Sequence, residues 1–181
     1  MRPILAEIMT LFCHIQALNF YPHAYRPEKC PHCGFYQLWG HGSYTRKSDK
    51  TNEHPNGSNL NPIPILRYFC PSCGRTCSTL PECLPPRRWY QWNVQQIVYE
   101  YYLKGYSVYV IDMLVMPSIQ TIYRWINAFE NKLSTYQFHL KTKISSLGYA
   151  DGIKLFWKTC WDKKPLSHWM LVLNNEGVKI P

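Results

Sequence analysis

Acidic residues are scarce in this chain: 11 Asp and Glu stand against 20 Lys and Arg, a formal charge of +9 at pH 7. The imbalance suits a polyanionic partner, because each Lys or Arg that neutralises a phosphate releases a condensed counterion. Long apolar runs are missing too. No stretch reaches the ~18 consecutive apolar residues of a membrane-spanning helix, so no membrane partner is expected. A secretion leader is not indicated either, since Glu7 and His14 interrupt the apolar start and no clear small-residue cleavage site follows. These absences point to a cytoplasmic protein. What is present is a hydrophobic content of 46% over 181 residues, enough for one ordinary folded domain or two small ones.

The basic charge is uneven. Residues 1–22 are balanced, 23–84 hold seven basic against four acidic groups, 85–130 four against three, and 131–181 eight against three. Residues 1–22 read as an N-terminal amphipathic helix, with Ile4, Ile8, Leu11, Phe12, Ile15 and Leu18 at helical spacing on one face. That face is expected to dock on the chain's own core, with a homodimer contact as the alternative.

Four of the eight cysteines form two matching knuckles, Cys30-Pro-His-Cys33-Gly34 and Cys70-Pro-Ser-Cys73-Gly74. A C-x-x-C pair at a tight turn sets two thiolates on one metal, and the following glycine adopts the backbone that the turn needs. Two knuckles complete a tetrahedral site, so Cys30, Cys33, Cys70 and Cys73 are candidate ligands for one Zn2+. With all four positions taken by protein, that zinc would be structural. A disulfide framework is the alternative for the same cysteines. Cys13, Cys77, Cys83 and Cys160 match no ligand spacing and read as small buried hydrophobes, although Cys77 lies near enough to the second knuckle to substitute. His32 and His41 are expected to face solvent or nucleic acid.

The segments FYQLWGHGSYT, ILRYF and RTCSTL are rich in aromatic and β-branched residues or alternate, and they predict a three-stranded ribbon over 23–86. A polar stretch at 48–62 with an Asn56-Gly57 turn reads as an inserted loop. It accounts for the 36 residues between the knuckles, and surface insertions cost little closure entropy.

After Pro85-Pro86 the pattern becomes helical over 87–132: Trp92 to Lys104, ended by Gly105; Ser107 to Val115, capped by Ser107; and Ser118 to about Lys132, capped by Ser118. The short link at Met116-Pro117 predicts a sharp crossing, as in a helix-turn-helix. In the third helix Ile119, Ile122, Ile126 and Phe129 should pack on Ile97, Tyr101, Ile111 and Leu114. That leaves Gln120, Thr121, Arg124 and Asn127 outward, residue types that reach base edges and phosphates from the major groove. Arg87 and Arg88 are further candidate DNA contacts. Tyr99, Tyr101, Tyr102, Tyr106, Tyr109 and Tyr123 crowd this segment and read as half-buried core, with base stacking as the alternative.

The order CPHCG, HGSYTR, RYFCPSCGRT, LPPRRWY, a helix, G-Y-S and S-x-x-T-x-x-RW resembles the N-terminal region of bacterial insertion-sequence transposases and their small DNA-binding accessory proteins, over about residues 28–130. The resemblance implies sequence-specific binding to double-stranded DNA at an element's terminal repeats. It also implies Cys30, Cys33, Cys70 and Cys73 as zinc ligands and Arg124 as the leading helix contact. Full transposases continue into a catalytic core with three separated acidic residues. Here Asp151 reads as a turn residue, and only Asp162 and Glu176 follow it.

The expectation is therefore an α+β protein without catalysis of its own, a four-cysteine zinc ribbon followed by a three-helix helix-turn-helix. The alternatives are a truncated transposase and a zinc-ribbon adaptor for protein or RNA. Residues 133–181 read as a basic, aromatic C-terminal extension in which PLSHWMLVLNNEG forms a short helix. The extension should fold on the rest of the chain or on a partner such as a transposase catalytic subunit. Its lysines at 141, 143, 154, 158, 163 and 164 are suited to phosphates.

Overall fold

A computed structural model describes residues 3–48, 62–86, 88–149 and 152–178. The expected Asn56-Gly57 turn, most of the 48–62 insertion, Arg87 and Asp151 lie outside these residues. The chain divides into two compact units, Met1–Gln91 and Trp92–Pro181. No helix is long and apolar enough to cross a membrane among the described residues.

The first unit is mixed α and β. Strands β2 (Trp39–Arg46), β3 (Ile63–Phe69) and β4 (Thr76–Cys77) form an antiparallel sheet in that order, with Trp39 opposite Phe69 and Phe69 opposite Thr76. The three strands follow the three aromatic and β-branched segments. Their register contains a step the alternation does not announce: between Gly40 and Ser43 the pairing shifts, so His41 and Gly42 together face Arg67. Gly42 has φ +70°, the left-handed backbone of a glycine bulge. The extra residue moves Tyr44 onto the Ile65 side, where it packs with the buried Ile63 and Ile65.

The N-terminal segment departs from the single helix expected over 1–22. Ile4–Leu5 is a strand, β1, paired in parallel with β5 (Leu80–Pro81), and the helix α1 is confined to Leu11–Phe20. Thr10 stops it, its hydroxyl accepting the Cys13 amide at 3.1 Å. Of the expected apolar face, Leu11 and Ile15 join Ile63, Ile65, Leu80 and Leu84. Leu18 joins Tyr25, Leu38 and Tyr68 in a second cluster. Phe12 is 63% exposed and does not take part. Nor is Cys13 the buried hydrophobe expected: it is exposed, whereas Cys83 and Cys160 are buried.

His14 takes the buried place on α1. Its Nε2 lies 2.9 Å from the Pro64 carbonyl and its Nδ1 2.6 Å from the Tyr25 hydroxyl. A carbonyl only accepts, so Nε2 carries the proton and Tyr25 donates to Nδ1. Burial lowers the His14 pKa below its ordinary 6.5, against the opposing pull of the Pro64 carbonyl, and burial also keeps the Tyr25 phenol protonated. A depressed histidine pKa means that the unfolded chain takes up the proton first. The contribution is whole above pH 6.5 and is lost as pH falls below it toward the folded value. One such proton gives a slope of at most about 1.4 kcal/mol per pH unit. Denaturant midpoints measured from about pH 8 to 5 should fall more steeply for the wild type than for His14→Gln. Parallel curves would disprove the assignment.

The second unit is helical: α2 (Trp92–Leu103), α3 (Val108–Leu114), α4 (Ile119–Asn131), α5 (Leu133–Lys143), α6 (Ile153–Lys163) and α7 (Leu166–Asn175). The first three lie where the punctuation predicts. At Gly105 the Tyr106 amide reaches back to the Tyr101 carbonyl and the Gly105 amide to Tyr102, and Ser107 accepts the Val110 amide. The helix expected within PLSHWMLVLNNEG is α7.

Residues 133–181 are not an appendage to the three helices. α5 packs on α4 and α7, and α7 packs on α2. The core joins both halves of the unit: Tyr99 stacks on Phe129 with centroids 4.2 Å apart, Phe129 meets Trp157 at 5.0 Å, and Trp157 meets Tyr136 edge-on at 6.2 Å. Trp169 donates from its indole nitrogen to the Cys160 and Lys164 carbonyls, both at 2.9 Å, and so ties α7 to the end of α6.

Candidate functional site

The two knuckles share one backbone plan. In the first, the Cys30 amide donates to the Phe35 carbonyl at 2.7 Å and the Gly34 amide to the Cys30 carbonyl at 2.9 Å. In the second, Cys70 donates to Arg75 and Gly74 to Cys70, both at 2.9 Å. Gly34 and Gly74 have φ of +80° and +67°, and nothing lies within 4 Å of where their Cβ atoms would sit. The glycines are thus required by backbone conformation and not by space.

Strand pairing brings the knuckles together, since Cys70 directly follows β3 and Leu38, just before β2, is buried in the same cluster as Cys30 and Cys70. All four Sγ atoms lie within 4.8 Å of one another, Cys30 to Cys73 at 3.8 Å and Cys33 to Cys70 at 3.6 Å. No disulfide joins them. A tetrahedron with metal–sulfur bonds of ~2.3 Å has sulfur–sulfur edges of about 3.8 Å, so the cluster is compatible with a metal ion. Cys77 stays outside it, and burial first of all holds its thiol protonated.

The acid–base chemistry of the cluster also suits a cation. Burial works to raise the Cys30 thiol, but the His32 and Cys33 amides and the neighbouring sulfurs outweigh it and bring the pKa down to about 7. At Cys73 the Arg75 amide works downward, yet burial and the other three sulfurs push the thiol up to about 12. Charge that is hard to gather on four adjacent sulfurs becomes favourable once a divalent ion sits between them.

On α4 the expected sorting of side chains is found for most positions, but Ile119 is half-buried and Trp125, which was not expected there, takes a place on the buried side. Ile122, Trp125, Ile126 and Phe129 are buried; Gln120, Arg124 and Asn127 are exposed and Thr121 is half-buried. Arg124 is braced along the helix, donating from Nε to the Gln120 carbonyl at 3.2 Å and from its guanidinium to Thr121 Oγ1 at 3.3 Å. Ser118 occupies the cap position, but its hydroxyl pairs with Thr121 Oγ1 at 3.2 Å instead of capping a backbone amide.

The partners expected for the buried side are partly wrong. Ile111 is buried, whereas Ile97 is 44% and Leu114 53% exposed, and the stacking partner of Phe129 is Tyr99. Tyr106, Tyr109 and Tyr123 are exposed, so the tyrosines are not uniformly half-buried core. Arg88 belongs to the first unit, half-buried, with its carbonyl accepting from Arg46.

A family model described as Domain of unknown function (DUF6431) matches residues 30–125. The chain belongs to this family. The DUF6431 match opens on the first cysteine of the cluster and closes on Trp125, the buried tryptophan of α4, so it takes in both knuckles, the three-stranded sheet, α2, α3 and half of α4. No curated protein and no solved structure matches the chain.

Trp39 and Phe69 carry no motif of their own, yet with His41 they form a ring cluster on the sheet that is exposed at Trp39 and His41 and half-buried at Phe69. Trp39 lies 6.3 Å and His41 5.8 Å from the Phe69 centroid. The alternation of Trp39 and His41 on one strand was the available clue, but their partner on β3 depends on a register that the bulge disguises.

Proposed function

We propose that this protein is a sequence-specific binder of double-stranded DNA in which zinc fills the four-cysteine cluster and α4 is the reading helix of a helix-turn-helix. The observation that carries this reading is the outward face of α4, where Gln120, Arg124 and Asn127 stand in solvent opposite the buried Ile122, Ile126 and Phe129. Arg124 is held by Gln120 and Thr121 before any ligand arrives, which reduces the side-chain entropy lost on binding. Four cysteine ligands suit zinc or an iron centre, and all four positions taken by protein support a structural ion, which is read here as zinc. The likeness to the front of insertion-sequence transposases supports a mobile-element setting.

The proposal assigns the protein no cutting chemistry. Asp162 lies near the end of α6, and Glu176, just past α7, is engaged by Lys143 at 2.8 Å. The exposed lysines of the second unit would add phosphate attraction without sequence information.

Selection from a random duplex library tests this reading. A preferred site should emerge, and Arg124→Ala should weaken binding to it by about 1–3 kcal/mol, the worth of a good base contact, while barely changing affinity for unrelated duplex. A library from which no sequence is enriched would refute the proposal, as would a variant that binds the selected site like the wild type.

A further inference from the structure

The three-stranded sheet is covered over only half of one face. Ile63 and Ile65 at one end are buried with Leu11, Leu80 and Leu84, and Tyr44 packs against them. At the other end of the same face Trp39 is 61% exposed, His41 is exposed and Phe69 is half-buried. Strand alternation puts Arg67 on this face between Ile65 and Phe69, opposite the bulge.

We propose that this open half-face, with the Trp39, His41 and Phe69 rings on its surface, is a stacking platform for the unpaired bases of a single-stranded nucleic acid. Three observations select that occupant. The rings form a contiguous set, Trp39 and His41 both against Phe69, and exposed aromatic surface of this kind accepts any base through its π-face. Backbone access is open at the bulge, because nothing lies within 4 Å of a Cβ placed at Gly42, opposite Arg67, so a planar ligand can lie close to the strand. The charge is of one sign: residues 30–48 and 62–81 contain no Asp or Glu, but include Arg46, Lys47, Arg67 and Arg75. Arg46 is spent on the Pro85 and Arg88 carbonyls, which leaves Arg67 beside the rings and the exposed Arg75 next to β4 for phosphates.

This surface belongs to the first unit and does not depend on the reading of α4. A strand whose bases stack here would be held by ring contact plus phosphate attraction, with little sequence preference. Frayed duplex ends, displaced DNA strands and RNA all present this chemistry.

The test uses the full-length, metal-loaded protein and labelled oligonucleotides of roughly twelve nucleotides, followed by fluorescence anisotropy. The strands are oligo(dU), oligo(U) and an abasic strand of equal charge. At least one base-bearing strand should bind about tenfold or more tightly than the abasic one, and the better of the two identifies the sugar. Trp39→Ala should weaken that binding by about tenfold or more, and Trp39→Phe should restore most of it, with helix content and metal content unchanged. Affinity of Trp39→Ala for mixed-sequence duplex should stay at the wild-type value. The proposal is overturned if the abasic strand binds as well as the others, which would leave phosphate attraction alone. It is also overturned if Trp39→Ala keeps full single-strand affinity, which would free the face for a protein partner, or if single-strand and duplex affinity fall together.

Discussion

Replacing Cys70 by Ser should unfold the first unit while leaving the second helical. Cys70 is fully buried, follows β3 directly and faces the sulfurs of the other knuckle. The buried apolar groups around it are Tyr25, Leu38 and Tyr68, with Leu5, Ala17, Leu18 and Leu66 only partly buried against them, and the pairing of β2 with β3 also links the two knuckles. A structural zinc contributes roughly 10–16 kcal/mol of apparent binding free energy. That is as large as the net stability of about 5–15 kcal/mol of a whole domain. Loss of one of four ligands should therefore remove more than the sheet can spare.

Metal analysis should find about one zinc per wild-type chain and essentially none in Cys70→Ser. Hydrogen exchange should lose protection across β2 and β3 and keep it in α2, α4 and α7. Chelation of the wild type should reproduce the pattern, and metal uptake should release protons, because burial and the neighbouring sulfurs hold the Cys73 thiol protonated without a cation. A metal-free first unit with wild-type protection would rule the metal out as its organiser.

The second large effect is expected at Phe129. This ring is fully buried between Tyr99 of α2 and Trp157 of α6, so truncation to Ala opens a cavity at the meeting point of helices from both ends of the unit. Phe→Ala in such a place costs about 3–5 kcal/mol, from lost transfer free energy and from incomplete collapse around the void. Denaturant unfolding followed in the helical band should show a loss of that order for the second unit, against a small change for Leu114→Ala, which is half in solvent. For the same reason, a chain cut after residue 132 should not keep α2–α4 folded, since it lacks Tyr136, Leu140, Phe156 and Trp157. A loss below about 1 kcal/mol for Phe129→Ala, or a stable cut chain, would mean that the three helices are self-sufficient.

Which features were legible beforehand depended on the distance between the residues that decide them. The knuckles declare themselves because both ligands and the left-handed glycine lie within five consecutive residues, twice. The ends of α2, α3 and α4 follow from Gly105, Ser107, Pro117 and Ser118 for the same reason, and the buried side of α4 follows from its own 3.6-residue period.

Where a partner far along the chain decides, local pattern misleads. Ile4 has helical spacing with Ile8 and Leu11, yet it is a strand because Leu80 offers it a parallel edge. Phe12 fits the apolar stripe but is exposed, while His14, which breaks the stripe, is buried because Tyr25 and Pro64 satisfy both ring nitrogens. The apolar content of the segment 133–181 announces that it folds on something, but not which of its rings reaches α4. Trp157 is the ring that meets Phe129 of α4, with Tyr136 against it. The sequence by itself determined the four-cysteine site, the three strands and the three central helices, since each rests on turn chemistry and periodicity within a few residues. Only the tertiary structure decided which apolar residues are covered and which aromatic rings remain open, because burial is a property of pairs of elements and not of either one alone.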